Sequence, residues 1–200
     1  GDPPDAAYNY QMVYVCPLEE PGLHILPTHR IVGNIPQDTL SRLDTLFGEY
    51  FSVERAGEEN LDSFIAALRA KGKTQQVFGL YRGKGRFSFL YPKKDAVEKF
   101  VGDATRTDTW KHLDVSVLHE LALSRVLGIP KDHLLDYVKY VREPALGVQL
   151  VDSGEKQIAL LLNGTRVDQV RTICLEGEHM PQKSTDFYPK LLTGLVIYKF

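Results

Sequence analysis

Two short stretches of this 200-residue chain concentrate side chains that can handle an anion. Residues 27–30 read PTHR, and residues 180–190 read MPQKSTDFYPK. In the first, the Thr28 hydroxyl can donate, the Arg30 guanidinium can fork onto a phosphate or carboxylate, and the His29 imidazole can move a proton near neutral pH. In the second, Lys183, Ser184 and Thr185 set a charge beside two hydroxyls, with Lys190 close behind. Such a set can hold an anion without a glycine cradle. Tyr188 is a second proton-transfer candidate after His29. Pro181 and Pro189 stiffen the loop and lower the entropy lost on binding. A plainer account competes: Phe187 and Tyr188 dock on the core, Ser184 or Thr185 caps a turn, and a knot of hydrogen bonds holds the last loop against the first. Neighbours on an extended chain point to opposite sides, so either Thr28 with Arg30, or His29 alone, faces one ligand.

Other chemistries lack their signatures. There is no G-x-G-x-x-G or G-x-x-x-x-G-K-[ST], and YRGKGRF joins two strands, not a strand and a helix, so it reads as a hairpin turn. H-E-x-x-H, C-x-x-C and G-x-S-x-G are also missing. His119 and Glu120 are adjacent, unlike a zinc pair at i and i+4. No metal site is expected, and no cofactor is indicated. Asp114 reads as a helix cap five positions before His119, and His179 as a helix-end residue favoured by the dipole.

The elements that must position these groups follow from pattern. YQMVYVCPL reads as a strand stopped by Pro17, and LHIL as a second short strand. Residues 36–48 form a helix with Leu40, Leu43, Leu46 and Phe47 on one face, and residues 59–71 a second with Leu61, Phe64, Ile65 and Leu68 inward. FSVERA is a short strand between them. QQVFGLYRGKGRFSFLYP is the clearest hairpin. Residues 94–101 form a short helix, a long helix runs from Asp114 to Gly128, and a brief one spans 132–137. VKYVRE and KQIALLLN are strands, EPALGVQLVDSG and TRVDQVRTICLEG helices, and TGLVIYKF a closing strand. The central hairpin and the lack of a repeated crossover unit point to an α+β fold on a mixed or largely antiparallel sheet flanked by helices.

Lys and Arg number 24 against 26 Asp and Glu, a net charge of -2, which argues against a protein that wraps a nucleic-acid backbone. No apolar run approaches the ~20 residues needed to cross a bilayer, so no membrane partner is expected and the cytoplasm is the default. The two cysteines, Cys16 and Cys174, sit in apolar surroundings and are expected to be buried free thiols.

The segments PGLHILPTHRIV, LDVSVLHELAL and MPQKSTDFYPKLLTGLV resemble the C-terminal half of the bacterial and archaeal family called domain of unknown function 1015, over essentially the whole chain. Family members are longer, and their N-terminal half carries an Asp-Gly-His-His-Arg-Tyr segment reminiscent of ParB-like proteins, which this chain does not contain. The resemblance implies a chain cut from a longer protein, with that N-terminal half as its partner, and it supplies no established activity. The family's proline-threonine-histidine-arginine segment falls on Pro27, Thr28, His29 and Arg30. Its leucine-aspartate helix start falls on Leu113 and Asp114, and its lysine-serine-threonine loop on Lys183, Ser184 and Thr185. Two departures stand out: Gly164 where Asn-Pro-Thr is common, and Asp186, whose negative charge weakens a simple anion clamp.

The expectation is therefore a linker-like start over 1–9 and one α+β domain over 10–200. Its function is expected to be part of a cytoplasmic small-molecule enzyme holding a phosphate- or carboxylate-bearing ligand, a nucleotide and phosphoryl transfer among the candidates. A non-catalytic interaction or structural domain is the alternative. His29 and Tyr188 are the catalytic candidates; Thr28, Arg30, Lys183, Ser184, Thr185 and Lys190 are the ligand-binding ones.

Overall fold

A computed structural model describes residues 3–4, 6–57, 60–190, 194 and 197. Among the described residues there are eight strands: β1 (His24–Leu26), β2 (His29–Val32), β3 (Phe51–Arg55), β4 (Phe78–Tyr81), β5 (Phe87–Pro92), β6 (Val138–Val141), β7 (Ile158–Leu161) and β8 (Asp186–Tyr188). Six of them make one sheet in the order β3-β5-β4-β7-β2-β6, with every neighbouring pair antiparallel. Helices cover it, so the α+β class read from the sequence holds. The chain groups into two compact units, Ile25–Asp186 and a smaller one of Gly1–His24 with Phe187–Phe200. Everything below concerns the larger unit unless stated.

The expected hairpin is β4–β5, turned through Gly83, Lys84 and Gly85, all at positive φ. Glycine takes that conformation without a Cβ clash. Strand β2 lies between β6 and β7, with Arg30 opposite Tyr140 on one side and Leu160 on the other. Its alternation separates two cores. Ile31 packs with Phe64, Leu68 and Val151; Val32 packs with Phe47, Leu118 and Leu121. His29 therefore shares a face with Ile31, and Arg30 shares the other with Val32. Helix Leu61–Gly72 opens on Asn60, whose side chain accepts from the Ser63 amide at 2.9 Å, and it sets Phe64 between the stacked rings of Phe87 and Phe89.

Several expectations change. Residues 10–18 form no strand, and Tyr10, Met12, Val13, Tyr14 and Val15 are exposed. Strand propensity is realised only where a pleated face is buried against neighbours, and this segment buries none of these side chains. The helix expected over 36–48 is two, Gln37–Ser41 and Leu43–Tyr50, broken at Arg42, where ψ swings to 6°. Cys16 is only half-buried and Cys174 is exposed; both are free thiols. Asp114 is not a cap: Leu113 is the N-cap residue and Asp114 enters the first turn. Its carboxylate accepts instead from Gln76 Nε2 at 3.1 Å. From Leu118 to Val126 that helix widens to π geometry, a form frequent at functional sites. The closing strand expected over 193–200 lies outside the described residues, apart from Gly194 and Ile197. Among the described residues no helix is long and apolar enough to cross a membrane.

Candidate anion-binding site

Arg30 is the largest side chain in the interior that carries a charge, with 1% of its surface exposed. Its Nη1 donates to the Thr28 carbonyl and its Nη2 to the Lys183 carbonyl at 3.1 Å. Among the described residues no acidic side chain pairs with it, and its buried Nε has no partner. The guanidinium lies 5.5 Å from the centroid of the Tyr140 ring, and Lys183 Nζ lies 5.7 Å from the same centroid. Burial lowers the Arg30 pKa to about 10, with proximity to Tyr140 acting the other way. A buried cation held only by carbonyl dipoles and a ring face leaves an uncompensated positive field around it.

The 178–186 segment is tied to the body along its length. Glu178 accepts from Arg106 Nη1 and from the Thr107 amide, both at 2.7 Å. Trp110 Nε1 donates to the His179 carbonyl at 3.1 Å, so His179 sits in a loop and not at a helix end. Lys183 adopts φ 59°, and the buried Ser184 closes the turn by donating to the Pro181 carbonyl. Thr165 Oγ1 donates to the Ser184 carbonyl at 2.8 Å, and Arg142 Nη2 donates to Asp186 at 2.9 Å. Asp186, the departure noted in the sequence, therefore has an arginine to answer its charge.

Beside this knot opens a cavity of about 480 Å³. The helical run from Ser116 to Ser124 lines one wall with Ser116, His119, Glu120, Leu123 and Ser124; Tyr140, Pro181 and Gln182 line another. Two cations in its lining are already paired, Lys131 with Glu120 at 2.6 Å and Arg106 with Glu178, outside the lining, at 2.7 Å. Two buried polar atoms in the wall have no partner among the described residues, Ser116 Oγ and His119 Nε2. Burial, then the charges of Arg30 and Lys131, push the His119 pKa down to about 3, so the ring is neutral. A neutral imidazole, a buried hydroxyl and a cation behind a tyrosine ring can receive a polar ligand that supplies hydrogen bonds and negative charge.

The predicted residues divide between places. Thr28, Arg30, Lys183 and Ser184 come together, as does Thr185 beside them in the chain, but they form the support of the cavity and not its lining. Their meeting point with it is Tyr140. His29 is elsewhere. It is 2% exposed on the opposite face of the sheet, and its Nδ1 accepts from the Leu162 amide at 3.2 Å. Burial, then Arg30 and Arg69, lower its pKa to about 4. Tyr188 and Lys190 belong to the smaller unit, where Tyr188 is 51% exposed and Phe187 is also exposed, so neither ring docks in a core. Among the described residues no group of three or more His, Cys, Asp or Glu could hold a metal ion. Ser116, Tyr140, Lys131 and Arg106 were missed. The signal for the first was legible: Ser116, His119, Glu120 and Ser124 recur at three and four within an otherwise apolar helix.

The fold and cavity define an α+β protein with an antiparallel six-stranded sheet and a cation-backed pocket. The chain belongs to the family described as "Protein of unknown function (DUF1015)", whose model matches residues 1–116. That span overturns the expectation that the chain is the family's C-terminal half. The matched region runs from the chain's start through PTHR to Ser116, and it stops before both His119 and the lysine-serine-threonine loop. That loop's side chains and φ angle are ordinary turn chemistry, which recurs without kinship. No curated protein matches. Among solved structures, a conserved hypothetical protein from Pyrococcus furiosus is similar at 13% identity and TM-score 0.47, covering 87% of this chain and 60% of that one. A free serine kinase in complex with AMP is similar at 13% identity and TM-score 0.46, covering 87% and 57%. The chain thus spans less than two thirds of the length of these structures.

Proposed function

We propose that the cavity beside Tyr140 binds a small molecule bearing a phosphate or carboxylate, and that the chain is the binding part of a small-molecule enzyme. One observation carries the reading: among the described residues, a fully buried guanidinium without an acidic partner stands next to a cavity whose wall holds an unpartnered hydroxyl and an unpartnered imidazole nitrogen. An anion in that space would offset the field of Arg30 and Lys183, accept from Ser116 and raise the pKa of His119. With its pKa near 3 the His119 imidazole is a weak base. With an anion bound it moves toward the range in which it can take a proton from a ligand hydroxyl. Phosphoryl transfer is one reaction of that kind, and His119 replaces His29 as its proton acceptor in this reading.

A second reading has its own support. Both terminal nitrogens of Arg30 are spent on main-chain carbonyls, which is what a purely structural tie requires. Calorimetry and NMR of the His119 ring separate the two, with inorganic phosphate, ATP and phosphoserine as probes. Binding accompanied by a rise in the His119 pKa, and lost in Ser116→Val and Lys183→Ala, supports the pocket. Absence of binding by all three probes supports the tie alone.

A further inference from the structure

A second cavity, of about 220 Å³, opens on the other face of the sheet, between the C-terminal half of helix Leu61–Gly72 and the start of helix Pro144–Asp152. Its body is aliphatic: Ile25, Ile65, Leu68 and Leu162 line it. Its polar groups are few and converge. His29 lines it. Nδ1 is occupied by the Leu162 amide, which fixes the neutral tautomer with its proton on Nε2, and among the described residues no group accepts that proton. Arg69 and Glu143 also line the space, and neither forms an ion pair among the described residues. Arg142, the other cation in the wall, is already matched by Asp186. A buried donor and an unanswered guanidinium above an aliphatic floor are the elements of a carboxylate site.

We propose that this cavity binds a small monocarboxylate with a short aliphatic body, its carboxylate held by Arg69 and by Nε2–H of His29, and its hydrocarbon lying on Ile65, Leu68 and Leu162. The volume suits a small ligand, since pockets for drug-sized molecules begin at roughly 300 Å³. Glu143 sets the charge. A carboxylate of one negative charge leaves it tolerable repulsion at the rim, whereas a dianionic phosphate meets twice as much. The depressed pKa of His29 accords with this picture: burial lowers it most, and the neighbouring Arg30 and Arg69 lower it further. The site is independent of the cavity beside Tyr140, on the far side of the sheet, and each can fail without the other.

The test is NMR of the His29 ring with acetate, butyrate, hexanoate and inorganic phosphate added separately. Butyrate and hexanoate are expected to bind more tightly than acetate, to shift the His29 signals and to raise its pKa, because a bound anion favours the imidazolium. Arg69→Ala is expected to weaken butyrate roughly tenfold or more, the loss of one charge-assisted hydrogen bond, and Arg69→Lys less. Arg69 is exposed, so both variants leave the core intact. Glu143→Gln is expected to admit phosphate without weakening butyrate. Carboxylates that leave His29 unmoved, tighter binding of phosphate than of butyrate, or butyrate affinity unchanged in Arg69→Ala would each overturn the proposal.

Discussion

Arg30 and Lys183 stand 153 positions apart, yet the guanidinium of the first donates to the main-chain oxygen of the second at 3.1 Å, and both cations lie within 6 Å of the Tyr140 ring centre. The bond uses the backbone of Lys183 and not its side chain. Substitutions at the two positions should therefore behave differently. Arg30→Met strips two carbonyls of their donor while relieving a buried charge, for a net loss of roughly 1.5–3 kcal/mol. Arg30→Lys should also cost stability, since one ammonium cannot reproduce the fork. Lys183→Ala should stay within about 0.5 kcal/mol of the parent. Urea unfolding midpoints at constant m measure all three. A Lys183→Ala loss as large as that of Arg30→Met would contradict this division.

Acid should destabilise the protein before its surface carboxylates titrate. His29 and His119 have folded pKa values of about 4 and about 3, against 6.5 for the free residue. Their pKa values are depressed by folding, so the unfolded chain takes up their protons first. Stability is fully present above pH 6.5 and falls as pH drops toward the folded values. Asp114 acts in the opposite sense. Burial raises its pKa to about 6 from 3.8, so the folded state holds that proton while the unfolded state does not. Between pH 6 and 4 two histidine protons oppose one aspartate proton, leaving a slope of roughly 1.4 kcal/mol per pH unit.

Asp114→Asn tests that balance. It keeps an oxygen to accept from Gln76 but removes the compensating proton. The acid slope between pH 6 and 4 should then approach about 2.7 kcal/mol per pH unit. Urea midpoints at several pH values in that window read it directly, and a slope equal to the parent's would show that Asp114 titrates normally.

Tyr140 should matter through its ring and not its hydroxyl. Tyr140→Phe preserves the face that Arg30 and Lys183 share, and is expected to leave stability near the parent. Tyr140→Leu removes it, at a cost of roughly 1–2 kcal/mol for a partly desolvated cation–π contact. Equal effects of the two substitutions in thermal unfolding would argue against the ring's role.

Gly79 lies in β4 against the aromatic stack. A Cβ there would sit 2.7 Å from Phe64 Cε1 and 3.1 Å from Leu161 Cβ. Phe64 is held between Phe87 and Phe89 at 4.6 Å on each side, so it has little room to retreat. Gly79→Ala should destabilise by about 1–3 kcal/mol, the usual cost of overpacking a filled core. A stability equal to the parent's would mean the stack relaxes freely.

Local pattern by itself determined the α+β class, the β4–β5 hairpin, helix Leu61–Gly72 and the alternation that sends His29 and Arg30 to opposite faces. These are legible because hydrophobic period, glycine turns and capping act over a few residues. Pattern failed at residues 10–18, where strand-forming side chains find no face to bury, and at Leu118–Val126, where an apolar run gives no sign of π geometry. The same sequence also named Arg30 and Lys183 without saying whether they met. That was decided by the sheet order, which sets β2 between β6 and β7 and so places Arg30 against Tyr140, and by the ties that bring the 178–186 loop back over both. Only the tertiary structure put His119 and Ser116 in the cavity wall and His29 in another cavity, because burial and long-range pairing, not neighbours in the chain, set which polar atoms are left without partners.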